Sequence, residues 1–258
     1  MMRAAVITLF GEMIHPYVEA SVLGRAVRAG HLEVVTIDPR DDATDRHRTV
    51  DDNPFGGGAG MLMRAPELAA ATRRAREAVP GAPVVLLTPQ GRRLDHGLVR
   101  ELAAKPGLIL ACGRYEGVDE RWIERHVDLE VSLGDFVLTG GELGALCVID
   151  AVARMHPGVL GNAASAEDES FAEHRLEYPQ FTRPPEWYGL DVPDVLTSGD
   201  HGRVERWRRR VALMRTAARR PDLLTKRPLT ADEAKVLADD RDPVPHWMVR
   251  PRHDLDTE

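Results

Sequence analysis

The chain has 258 residues, 43% hydrophobic and 29% charged, enough for one large domain or two with a real core. No run approaches the ~18 apolar residues of a membrane span, and the balance excludes a fibrous or wholly disordered chain. The net charge of −7, from 34 Lys and Arg against 41 Asp and Glu, taken alone argues against nucleic acid, whose binders usually present a basic face.

Ala4 to Leu9 reads as a first strand. The opening MMRAAVITLFGE has a single Arg and no cleavage-like site, so it is not read as a signal peptide and the cytosol is the default compartment. Val18, Val22, Ala26 and Val27 recur at helical spacing, with Gly30 as C-cap, and Leu32 to Ile37 is a second strand. Asp38 to Gly60 is too long and polar for an ordinary connection. Its DRHRTVDD run reads as a solvated loop, while Gly56, Gly57, Gly58 and Gly60 point to a backbone that bends tightly or approaches a ligand. Pro66 opens a helix to about Ala78, Val84 to Leu87 is a third strand ending in a Pro89-Gln90-Gly91 turn, and Asp95 caps a short helix through Leu102.

Two apolar runs follow, LILAC from Leu108 and VDLEVSL from Val127, each stopping at a glycine-bearing turn: GRYEG (Gly113 to Gly117) and LTGGELG (Leu138 to Gly144). Glu142 to Met155 is then a helix. Short apolar runs bounded by turns, alternating with helices, predict an α/β domain with a mainly parallel sheet, in which ligands gather outside the carboxyl ends of the strands. Three turns past strand ends, at Pro89, Gly113 and Gly140, can converge on one pocket beside Tyr115, Glu116 and Asp135. Neither glycine turn has the spacing of a P-loop or a GxGxxG fingerprint, so spacing alone does not name the ligand. The two cysteines, Cys112 and Cys147, sit in apolar runs outside any CxxC and are expected as buried thiols.

From His156 to about Pro193 no period is sustained, and the stretch reads as a flexible linker. Asp200 caps a helix to about Arg219 with an apolar stripe of Val204, Trp207, Val211, Met214 and Ala218. Between Asp200 and Arg227 ten Lys and Arg face three acids, a local +7 within an acidic chain, and local potential steers a polyanion. Thr230 and Glu233 form a capping box, and the tail from about Asp239 is expected to be loose. The predicted organisation is an α/β domain over 1–158, a linker over 159–193 and a helical, basic domain over 194–258.

GRYEGVDER, SLGDFVLTGGE and the upstream DRHRTVDDNPFGGGAGM closely resemble the bacterial tRNA (guanine-N1)-methyltransferases that act at position 37, members of the SPOUT superfamily. The resemblance runs from about Arg3 to about Leu237 in the family's order. It implies an α/β parallel sheet with a deep C-terminal trefoil knot, which sequence physics would not propose, plus a small all-α C-terminal domain. It implies methyl transfer from S-adenosylmethionine to N1 of guanosine 37 in tRNA by a homodimer whose two sites lie at the subunit interface. The donor would sit among Leu87, Thr88, Pro89, Gln90 and Gly91; Gly113, Tyr115 and Glu116; and Ser132, Leu133, Gly134, Asp135, Phe136, Val137, Leu138, Gly140 and Gly141. Arg154 matches the family's catalytic Arg. The family's general base, a linker Asp in a motif like EDSF, falls on Glu169 of AEDESF with no gap, or on Asp168 after a one-residue slip. Ser165 and Glu177 match linker positions that touch tRNA, and Arg203 and Arg209 are candidate phosphate contacts on the basic helix. The family's reaction is linked to magnesium, although no dedicated ligand cluster stands out. Three positions depart from the family pattern: Phe136 stands for a tyrosine, Gly144 for a proline and Glu169 for an aspartate. The last keeps open a second reading, a weak or inactive module that binds RNA and cofactor. A related knotted enzyme acting at another RNA position is a third.

Overall fold

The computed structural model describes residues 1–160, 170–171 and 173–251. The chain divides into two compact units, Met1–Ala163 and Ala164–Glu258.

The first unit is built on five parallel strands in the order β2-β1-β6-β5-β7. They are β1 (Met2–Ile7), β2 (Leu32–Ile37), β5 (Val84–Arg93), β6 (Leu108–Cys112) and β7 (Leu129–Ser132). A two-stranded antiparallel pair, β3 (Asp51–Asp52) and β4 (Leu62–Met63), stands apart from that sheet. The helices are α1 (His15–Val18), α2 (Ser21–Arg28), α3 (Ala65–Ala78), α4 (His96–Ala103), α5 (Glu120–His126) and α6 (Glu142–Ala153). Side chains alternate across the central strands. Leu108, Leu110 and Cys112 of β6 join Val85 and Leu87 of β5 in one core with α2, α4 and α6. Ile109 and Ala111 join Val84 and Leu86 in a second core against α3 and α5. A sheet covered on both faces needs apolar residues at every position, which is why these strands read as unbroken runs.

The third strand does not end at Leu87. It pairs with β7 through Leu87 and Val131, leaves the ladder for four residues, and resumes with Arg92 on the same Val131. The seventh strand starts at Leu129, not Val127, and is preceded by α5, whose one buried side chain is Trp122. Its indole N–H donates to Thr72 Oγ1 at 3.2 Å, which satisfies a buried donor. Cys112 is buried as expected, but Cys147 is exposed. The long polar segment does contain structure: a 3-10 turn at Pro39–Asp42 and β3. Its four glycines all take positive φ, between 77° and 133°.

The second unit contains a short hairpin, β8 (Glu186–Trp187) with β9 (Leu190–Asp191), inside the stretch read as linker. Five helices follow: α7 (Asp194–Thr197), α8 (His201–Arg219), α9 (Pro221–Lys226), α10 (Ala231–Ala238) and α11 (His246–Val249). Asp200 caps α8 by accepting from the Arg203 amide, and the Thr230–Glu233 capping box closes on α10. Val195, Trp207, Val211, Met248 and Val249 make the core. The tail is therefore not loose at 246–249, because two of its apolar residues complete that core. Arg175 is buried beside it, donating to Glu233 Oε2 at 3.1 Å and to Arg227 O at 3.0 Å.

Candidate functional site

Strands β5, β6 and β7 are parallel neighbours, so their carboxyl ends share one edge of the sheet. A cavity of about 490 Å³ opens there, within the roughly 300–1,000 Å³ usual for small-molecule sites. Its walls are the three turns that the sequence placed at strand ends. From β5 come Leu87, Thr88, Pro89 and Gln90; from β6, Gly113, Tyr115 and Glu116; from β7 onward, Ser132, Leu133, Phe136, Val137, Leu138, Gly140 and Gly141. Of the predicted donor-site residues, Gly91, Gly134 and Asp135 are not on the wall. Gly91 returns the β5 excursion to the ladder. Gly134 takes φ 156° and donates its amide to Ser132 Oγ at 3.1 Å, forming the tight bend behind the wall. Asp135 is exposed at the tip of that bend.

Where two of these turns meet, a side chain is excluded. A Cβ on Gly141 would stand 2.7 Å from Cys112 Cα, and the Gly141 amide donates to Gly113 O at 3.0 Å. The two glycine turns are thus in direct main-chain contact. Tyr115 adopts φ 59°, a left-handed conformation costing a non-glycine residue on the order of 1 kcal/mol. It leaves the ring about half exposed at the rim. Burial and the neighbouring Asp51 push its phenol upward. The Glu116 amide donates to Met61 O at 3.0 Å, and a Cβ on Gly60 would lie 2.4 Å from Glu116 Cγ. The glycine-rich loop before β4 is therefore held against the cavity rim, and Leu62 reaches the wall. Phe136, Val137 and Leu138 are exposed. Gly144, at the expected proline, lies in the first turn of α6 with Leu87 3.2 Å from where a Cβ would be.

Arg154 is the half-buried C-cap of α6, its amide donating to Asp150 O at 3.2 Å. Glu169, Asp168 and Ser165 lie outside the described residues. In the second unit, Glu177 is exposed, its amide donating to Ser170 Oγ at 3.1 Å and its carbonyl accepting from Arg215 Nη1. The two predicted phosphate contacts differ. Arg203 Nε donates to both Asp242 oxygens, at 2.9 and 3.1 Å. Arg209 is exposed, and no hydrogen bond or ion pair engages it among the described residues. Among the described residues, no three His, Cys, Asp or Glu side chains cluster as metal ligands, and no helix is long and apolar enough to cross a membrane.

Sequence reasoning overlooked Leu62, Val118, Ile123 and Glu130, which also line the cavity, and gave Arg114, another lining residue, no role of its own. Arg114 sat inside the quoted GRYEG motif, so the signal was present. What was missing was its buried partner, Glu142.

Fold and site together define an α/β protein with a pocket of small-molecule size at the carboxyl ends of parallel strands. The chain belongs to the tRNA (guanine-1)-methyltransferase TrmD family, matched across residues 2–226. It is 57% identical over 234 residues to the tRNA (guanine-N(1)-)-methyltransferase of Anaeromyxobacter dehalogenans, covering 90% of this chain and 94% of that one. It is 53% identical over 237 residues to the enzyme of that name from Methylococcus capsulatus (92% and 94% covered). The same name is carried by a Hahella chejuensis relative, 52% identical over 233 residues with 90% of each chain covered.

Proposed function

We propose that this chain transfers a methyl group from S-adenosylmethionine to N1 of guanosine 37 in tRNA. The observation that carries the reading is the three-turn cavity in a member of this methyltransferase family. The residues present fit a donor of that kind. The cavity is of small-molecule size, and the contact of Gly141 with Cys112 and Gly113 brings two of its turns together on one wall. The three turns would hold the donor, with Tyr115 and Glu116 at its rim. When bound, S-adenosylmethionine supplies an electrophilic methyl carbon on a positively charged sulfur.

The chain's own residues must then prepare the acceptor. Neutral guanine carries a proton on N1, and the N1 lone pair is available only once that proton leaves. Glu169 takes it as general base, with Asp168 as the neighbouring alternative. Negative charge then builds on the guanine carbonyl oxygen, and Arg154 stabilises it. Glu is one methylene longer than Asp but performs the same proton transfer. Ser165, Glu177 and Arg209 contact tRNA, with Arg209 on phosphate, while Arg203 is engaged by Asp242. In this reading 1–158 is the knotted donor-binding domain, 159–193 the linker between domains, and 194–258 the helical tRNA-binding domain. The active protein is a cytoplasmic homodimer with sites at the subunit interface.

The test is methyl transfer from labelled donor to an unmodified transcript with guanosine at 36 and 37, against a matched transcript with adenosine at 37, with and without magnesium. Label on the first alone is expected. Label on both would move the site of modification. Label on neither, with donor still bound, would favour the inactive binding module. Glu169→Gln is expected to abolish transfer while leaving donor affinity intact; unchanged turnover would pass the base role to Asp168.

A further inference from the structure

The turn that ends β6 and the turn that opens α6 are joined by side chains that neither proton transfer nor charge stabilisation uses. Arg114, in the first turn, lies across the second. Its Nε donates to Glu142 Oε1 at 3.1 Å and its Nη1 to Thr139 O at 3.3 Å. Its Nη2 stands 2.8 Å from Glu142 Oε2, a close charge contact without a well-aligned hydrogen bond. Glu142 is 1% exposed and begins α6, where the helix dipole favours an anion. Its Oε1 also accepts from Thr8 Oγ1, just past β1, at 2.8 Å. The guanidinium carbon lies over the Phe10 ring, 4.3 Å from its centroid. The Phe10 amide in turn donates to Thr8 Oγ1 at 2.9 Å. One cation thereby ties the ends of β1 and β6 to the start of α6, on the wall of the cavity.

The same cation accounts for Gly140. That residue is not in the left-handed region, so its backbone does not demand glycine. Space does: a Cβ would stand 2.3 Å from Arg114 Nε and 2.5 Å from Cζ. The guanidinium occupies the volume a side chain would fill. Lys could supply the charge but neither the planar fork nor the stacking face.

We propose that Arg114, locked by Glu142 and laid across Gly140, is a positioning residue that sets the separation of the two glycine turns and so the shape of the methyl-donor pocket. This rests on reading the cavity as the donor site.

Calorimetric titration of S-adenosylmethionine into the full chain tests it, with the wild type, Arg114→Ala, Gly140→Ala and the double variant. Each single change is expected to weaken binding by about tenfold or more, and the double change scarcely further, because both act through one guanidinium. At saturating donor, kcat should stay within a few-fold of wild type while KM for the donor rises. Arg114→Lys, which keeps a charge beside buried Glu142, replaces Arg114→Ala if the latter does not fold. Costs that add in the double variant, wild-type binding by Arg114→Ala, or kcat falling in step with melting temperature would overturn the positioning role. A folded wild type that binds no S-adenosylmethionine would instead overturn the donor-site reading beneath it.

Discussion

Gly91 and Val131 meet backbone to backbone: a Cβ on Gly91 would stand 2.3 Å from the Val131 amide nitrogen. Val131 is where β5 leaves the ladder and where it returns, pairing with both Leu87 and Arg92. The excursion can therefore close only if residue 91 has no side chain. Thr88, Pro89 and Gln90, which wall the cavity, depend on that closure.

Gly91→Ala is accordingly expected to destabilise the first unit by about 1–3 kcal/mol and to weaken donor binding, although residue 91 is off the wall. Thermal unfolding with and without donor measures both. An unchanged melting temperature with unchanged affinity would show that the strand tolerates a wider excursion.

The two thiols make a second prediction. Cys112 is buried; burial pushes its thiol well above the ordinary range, the Glu142 charge adds to this and Arg114 opposes it. Cys147 is exposed and raised mainly by partial burial, with Asp150 adding. A thiol reagent at mildly alkaline pH should modify one cysteine per native chain rapidly and the second only on unfolding. Two fast thiols would contradict the packing of Cys112. None would place Cys147 beneath a second subunit.

Glu233 sets an acid limit on the second unit. Burial alone would raise its carboxyl, but the Thr230 amide and the Arg227 and Arg175 side chains outweigh burial and hold it at about 2, below the ordinary 4.5. A depressed carboxylate contributes stability above its unfolded pKa and loses it as pH falls through the folded value. Glu233→Gln should therefore cost on the order of 3 kcal/mol near neutrality, since it strands buried Arg175. The gap to wild type should close between about pH 5 and about pH 2. Denaturant unfolding across that range checks it; a gap independent of pH would assign the loss to packing.

The parallel sheet and the three strand-end turns were legible because two-sided burial writes unbroken apolar runs and close main-chain contact writes glycines, as at Gly141. The Arg114–Glu142 pair was not, because its partners stand 28 residues apart and nothing local marks either as buried. Helix α5 escaped because ERWIERH buries only Trp122 and shows no period. The exposure of Cys147 was hidden within LCVIDAVA, an apolar run in which Asp150 is the one charged residue. Counting bases on α8 gave the sign of its field but not which bases are already taken.

That distinction separates Arg203 from Arg209. Arg203 is bound to Asp242, which is pulled below its usual range by the pairing. Arg209 points its charge to solvent. If both touched phosphate, each alanine variant would weaken tRNA binding alike. The geometry predicts otherwise. Arg209→Ala should weaken tRNA binding and lower the slope of log affinity against log salt by about 1, with no change in melting temperature. Arg203→Ala should lower stability only slightly, as for a partly exposed pair, and leave the salt slope close to wild type. Filter binding over a salt series with each variant decides it. A slope that falls for Arg203→Ala and not for Arg209→Ala would mean that Arg203 leaves Asp242 when tRNA arrives.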